Sequence, residues 1–168
     1  MPIKSKNLKR VKSKEFYVDN SKFLKALIDY KKEVNLAKEN SQPIPRLPEY
    51  IGECFINIAK KLSNRPNFVN YIFKEDMISD GIENSLQAVN NFDPTKSENP
   101  FAYFTQIISF AFIRRIKKER TQLYTKFKIV EHSSLHNEPY NRKYINDKSD
   151  ENMRDFIEKF EASLQNKK

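Results

Sequence analysis

Residues 92–120 read FDPTKSENPFAYFTQIISFAFIRRIKKER. The stretch opens on FDPTKSENP, a loop whose Pro, Asp, Ser and Asn residues favour turns over a continuous helix. Pro100 then suits a first helical turn, because its missing N–H would have no intrahelical acceptor there. No Gly or Pro interrupts the 38 residues after Pro100, so one helix is predicted to run from Pro100 or Phe101 to about Lys128. Along it Phe101, Phe104, Ile108 and Phe112 share one side, and Tyr103, Ile107 and Phe110 an adjacent one. Thr105, Gln106 and Ser109 form the only polar window, and most of the rings read as core. Beyond Phe112 the same rod becomes RRIKKERTQLYTKFK, with seven cations against one acid between Arg114 and Lys128. A solvated helix end accounts for only part of that excess. The remainder points to phosphate contacts, which position a nucleic acid without reading its sequence.

The flanking segments follow the same helical logic. Phe23, Leu24, Leu27, Ile28 and Val34 recur at helical spacing behind the cap candidates Asn20 and Ser21. SQPIPRLPEY, with three Pro within six residues, ends that helix in a linker. A second helix carries Ile51, Phe55, Ile58, Ala59 and Leu62 on one side and stops near Asn64 and Pro66. A third runs from about Lys74 to Asn91. No segment alternates with strand periodicity, and two Gly in 168 residues leave hairpin turns scarce. The fold class is therefore all-α. Residues 1–19 form a basic arm, with six cations and no acid in the first 14 residues. Residues 20–130 form the helical domain, 131–150 a polar linker, and 151–168 a short acidic amphipathic tail bearing Met153, Phe156, Ile157, Phe160 and Leu164.

The third helix has two faces. Ile78, Ile82, Ser85 and Val89 lie on one stripe, whereas Asp76, Asp80, Glu83 and Gln87 follow another at steps of four, three and four. An acidic stripe reverses the sign of a chain whose 31 Lys and Arg outnumber 22 Asp and Glu, for a net charge of +9. Acids near a helix N-terminus also favour the macrodipole, so the stripe alone does not define an interface. Gly81 in mid-helix costs about 1 kcal/mol relative to Ala, which suggests close approach of a neighbour. The overall balance favours a polyanionic partner. No apolar run is long enough to span a bilayer or to serve as a secretory signal. The single Cys54, among Phe55, Ile56 and Ile58, reads as a small core residue of a protein in a reducing compartment. His132 and His136 form an isolated HxxxH pair, and no glycine-rich phosphate loop or Ser-His-Asp arrangement accompanies it. No catalytic residue, metal, cofactor or small-molecule substrate is expected, and the chain reads as a non-enzyme.

The ordered run DMISDGIENSLQAVNNFDPTK, followed by FAYF and a basic helix, resembles the second conserved region of bacterial sigma factors. Within that family it is most similar to the late-transcription sigma factors of T-even-type bacteriophages. LSNRPNF, DGIE-S, NFD-TK, NP-AY and RIKKER at 115–120 carry the resemblance across residues 20–130. It implies a compact helical bundle with a basic N-terminal arm and an extended C-terminal tail. It also implies a factor that docks on host core RNA polymerase and directs recognition and melting of an AT-rich element near the start site of late genes, in the cytoplasm of an infected bacterium. Asp76, Ser79, Asp80, Glu83 and Leu86, with Gln87 beside them, would face the clamp coiled coil of the polymerase's largest subunit. Tyr103 matches the aromatic position whose ring stacks on a flipped base. Arg114, Arg115, Lys117, Lys118 and Arg120 would hold duplex phosphates.

Two departures mark this chain. Primary sigma factors carry two adjacent Trp where Gln106 and Ile107 stand here, and this chain has no Trp. Tyr103 and Phe104 are then the candidates for the melting wedge. No helix-turn-helix segment follows to read a distant upstream element. The phage family replaces such contacts with a sliding clamp, held by a hydrophobic-acidic tail, and with a late coactivator. Asp155, Phe156, Ile157 and Phe160 are the analogous residues, unless that helix packs back on the domain. The rival reading is a basic DNA-binding coactivator or accessory module that does not act as a sigma factor.

Overall fold

Asp19, one residue before the expected caps, starts the first helix by accepting hydrogen bonds from the backbone N–H groups of Ser21 and Lys22 at 3.0 and 3.1 Å. The structure is a computed structural model that describes residues 17–133 and 147–165. Its helices are α1 (Asn20–Glu39), α2 (Glu49–Ser63), α3 (Lys74–Ala88), α4 (Pro100–His132) and α5 (Asp147–Gln165). A 3-10 turn, Val89–Asn91, follows α3. Among the described residues there is no strand, in agreement with the all-α class. The basic arm up to residue 16 and most of the expected polar linker lie outside the described residues. α4 runs four residues past Lys128, and α5 begins at Asp147, inside the segment expected to be linker.

Two compact units divide the chain, the first ending at Ser109 and the second beginning at Phe110. The core of the first is aromatic. Phe104 of α4 is fully buried, with ring centroids of Phe55 at 4.6 Å, Phe23 at 5.6 Å and Phe92 at 6.0 Å. One side chain thus joins α1, α2, α4 and the loop after α3. Leu27 and Val34 extend this core along α1, and Ile51, Ile58, Ala59 and Leu62 along α2. α3 packs on α2. It buries Met77, Ile78, Gly81 and Ser85, and the Ser85 hydroxyl donates to Gly81 O at 2.8 Å. That bond satisfies the one polar side chain on the buried face.

Asn20, released from capping, bridges parts of the sequence that are far apart. Its Nδ2 donates to Glu98 O and its Oδ1 accepts from the Phe101 backbone N–H, both at 3.2 Å. The start of α1 thereby fixes the entry to α4. Lys31 Nζ donates to Phe92 O at 2.8 Å and holds the intervening loop to α1. In the second unit α5 lies against the last turns of α4. Phe160 stacks on Tyr124 at 4.5 Å, Phe156 meets Phe127 edge-on at 5.4 Å, and Met153 and Ile157 are buried.

Phe104→Ala should destabilise the protein by about 3–5 kcal/mol, since it removes a buried ring and leaves a cavity. Asp19→Ala should cost about 1 kcal/mol through loss of the cap. Exposed Gln106→Ala should stay within about 0.5 kcal/mol of wild type. Urea denaturation followed by circular dichroism would rank the three.

Candidate functional site

The acidic stripe of α3 is displayed because the opposite side of the helix is committed to the core. Asp76, Ser79, Glu83, Leu86 and Gln87 are exposed and Asp80 is half-buried, whereas Met77, Ile78, Gly81 and Ser85 face inward. Gln87 Nε2 donates to Glu83 Oε1 at 3.3 Å, and Asn84 Nδ2 donates to the Asp80 carbonyl at 2.7 Å. Leu86, 45% exposed, adds an apolar side chain among the charges. A mixed charged and aliphatic surface on a rigid helix suits a protein partner more than a polyanion, which the three acids would repel.

Tyr103 sits differently from its neighbour. Its half-buried ring is supported by Phe92 at 5.3 Å and meets Phe104 at 5.0 Å with the planes perpendicular. The support is itself anchored, because Lys31 binds the Phe92 carbonyl. Phe104, the alternative wedge, is corrected by its burial: it is the hub of the core and has no surface to offer a base. Of the Trp-pair positions, Gln106 is exposed and Ile107 half-buried. In the polar window the Thr105 hydroxyl donates to Phe101 O at 2.6 Å and Ser109 is half-buried, so Gln106 is its most accessible member.

Within the second unit, α4 exposes Arg114, Lys117, Lys118 and Arg120. Arg115 is half-buried and pairs with Glu119 at 3.3 Å, which directs it along its own helix. Phe110 and Ile113 are 51% and 38% exposed beside these cations, although the sequence reading placed Phe110 with the core rings. Their spacing to Lys117, three then four residues, was the available signal for an outward stripe. The residues expected to bind a sliding clamp lie on α5. Phe156, Ile157 and Phe160 are engaged with α4 or buried, and exposed Asp155 pairs with Lys159 at 2.7 Å. The packed-back alternative describes α5 as it stands.

Burial pushes the Cys54 thiol up, and the hydroxyl of Tyr50 beside it is pushed up to about 12, chiefly by burial. A protonated, buried thiol is a poor nucleophile and a poor ligand. Among the described residues no three His, Cys, Asp or Glu side chains converge as a metal set. His132 ends α4, and His136 lies outside the described residues. Among the described residues no helix is long and apolar enough to cross a membrane.

Within the first unit α3 presents an acidic face to solvent, and within the second α4 presents a basic one. Residues 55–122 match the sequence model of the family Sigma-70 region 2. Over that segment the chain is similar to the second region of sigma factors. The segment covers α3, Tyr103 and all five cations from Arg114 to Arg120. No curated protein matches the chain.

The loop before α4 offers a pH test. Asp93 Oδ1 accepts from the Thr95 hydroxyl at 2.8 Å and from the Thr95 N–H at 3.0 Å, and these bonds hold the Asp93 carboxyl below its ordinary range. A depressed carboxylate contributes stability above its unfolded pKa and loses it as pH falls through the folded one. Thr95→Val should therefore raise the Asp93 midpoint in an NMR titration and flatten the acid limb of stability. An unmoved midpoint would show that the hydroxyl is not the cause.

Proposed function

We propose that the protein is a late-transcription sigma factor of the T-even phage type, which brings host core RNA polymerase to an AT-rich element near the start site and helps to open it. The carrying observation is Tyr103, a half-buried ring braced by Phe92 and Phe104 on the helix that begins at Pro100. A braced ring with part of its surface open suits capture of an extruded base, for which stacking offers about 1–3 kcal/mol. Gln106 supplies an amide on the same helix for base edges or for the single strand.

In this reading Asp76, Ser79, Asp80, Glu83, Leu86 and Gln87 meet the basic surface of the polymerase clamp. Arg114, Lys117, Lys118 and Arg120 hold duplex phosphates, and Arg115 contributes less because of its pairing with Glu119. The protein acts by binding and positioning and carries out no chemistry itself. A sliding clamp as partner would require Phe156 and Phe160 to leave Phe127 and Tyr124. Run-off transcription with and without a clamp tests this, and a clamp that gives no stimulation removes it from the reading.

Asp80→Arg with Glu83→Arg should lower retention on core polymerase at least about tenfold, by setting like charges against the partner surface. Equal retention would favour the accessory-module reading. Tyr103→Ala should block opening of a linear promoter while sparing a pre-melted one, and permanganate footprinting of unpaired thymines reads the difference. Equal loss on both templates would assign Tyr103 to the core instead. Lys117→Gln with Lys118→Gln should weaken binding to all sequences alike and reduce the salt slope by about 1.8, as two lost phosphate contacts require.

A further inference from the structure

Along α4 the positions of Lys117, Thr121, Tyr124 and Lys128 succeed one another at steps of four, three and four, so they form one stripe of the helix. The stripe that begins with an exposed cation therefore continues into the segment covered by α5. At that point Tyr124 Oη donates to Glu161 Oε1 at 2.8 Å, and Lys128 Nζ lies 3.5 Å from the same oxygen. A hydroxyl and an ammonium converge on one anionic oxygen, which is the donor set that a phosphate uses.

The occupant is well matched. α5 carries six acids against three cations, while α4 from Arg114 to His132 carries seven Lys and Arg against two acids. Its apolar hold is short, consisting of the Phe160 stack on Tyr124, the Phe156 contact with Phe127, and buried Met153 and Ile157. Lys128 also pairs with Glu131 of its own helix at 2.7 Å, so two carboxylates share one ammonium. Glu161 can thus be exchanged for another anion while Lys128 keeps a partner.

We propose that Tyr124 and Lys128 form a DNA-phosphate site on α4 that the Glu161 carboxylate of α5 occupies in the unbound protein, making α5 an intramolecular competitor of the duplex. The proposal rests on reading α4 as the DNA-binding helix. While α5 is docked, the phosphate grip ends near Arg120. When a duplex displaces Glu161, the grip gains a contact along the same stripe. This restrains the basic helix from occupying random DNA.

The test is fluorescence anisotropy of the full-length chain with a short mixed-sequence duplex over a salt series, without polymerase. Glu161→Gln should bind about threefold tighter or more, with a salt slope steeper by about 0.9, the signature of one added phosphate contact. Phe160→Ala, which loosens α5 without changing charge, should shift affinity in the same direction. Adding Lys128→Gln to Glu161→Gln should return the slope to the wild-type value. Glu158→Gln, the same neutralisation at an exposed position of α5, should leave the slope unchanged. An unaltered slope in Glu161→Gln, or an equal effect of Glu158→Gln, overturns the proposal. If Lys117→Gln with Lys118→Gln still weakens binding in that series, α4 stands as the DNA-binding helix and only the competitor role fails. If that pair also changes nothing, both readings fall together.

Discussion

Phe104 is the ring on which the first unit closes. Its neighbours Phe23, Phe55 and Phe92 come from α1, α2 and the loop after α3, and each lies within 6.0 Å of it. Aromatic pairs at such separations gain about 0.5–1.5 kcal/mol beyond the area they bury. The cluster also dictates what its neighbours can do. With Phe104 turned inward, Tyr103 is rotated to the flank of α4, where Phe92 supports it and solvent reaches it. Burial of one ring and display of the next follow from a single helical step of about 100°.

The same division operates on α3. Gly81 and Ser85 are small residues on the buried side of a helix packed against α2. The serine hydroxyl finds its partner within the helix, so the buried face carries no unmet polar demand. The longer polar side chains of Asp76, Glu83 and Gln87 are left for the outside. The acidic stripe is thus the complement of a buried face.

Much of this was readable from residue order. The all-α class followed from 3.6-residue periodicity, scarce glycine and clustered proline, and so did the end of α2 and the start of α3, whereas the expected last turn of α3 at Val89–Asn91 is a 3-10 turn. The first cap was misplaced by one residue, because Asp, Asn and Ser are all good caps and stand in succession at 19–21. Only a contact 78 residues away reveals that Asn20 is reserved for the loop before α4. Phe110 defeated pattern reading for a related reason. On a helix with apolar residues over most of its circumference, periodicity cannot say which ring meets a partner. The tail posed a choice between two destinations for the same stripe, and the rings of Tyr124 and Phe127 favour docking on α4.

The Asn20 bridge to Glu98 and Phe101 has a consequence during synthesis. α1 and α2 leave the ribosome with Phe23 and Phe55 already made, but Phe104 follows Phe23 by 81 residues. At about 5–20 residues per second, that interval is roughly 4–16 s. For those seconds the nascent chain holds an unfinished apolar surface whose completion depends on contacts distant in sequence, the kind that slow folding. Nascent α1 and α2 are therefore a natural target for chaperone capture before α4 is complete.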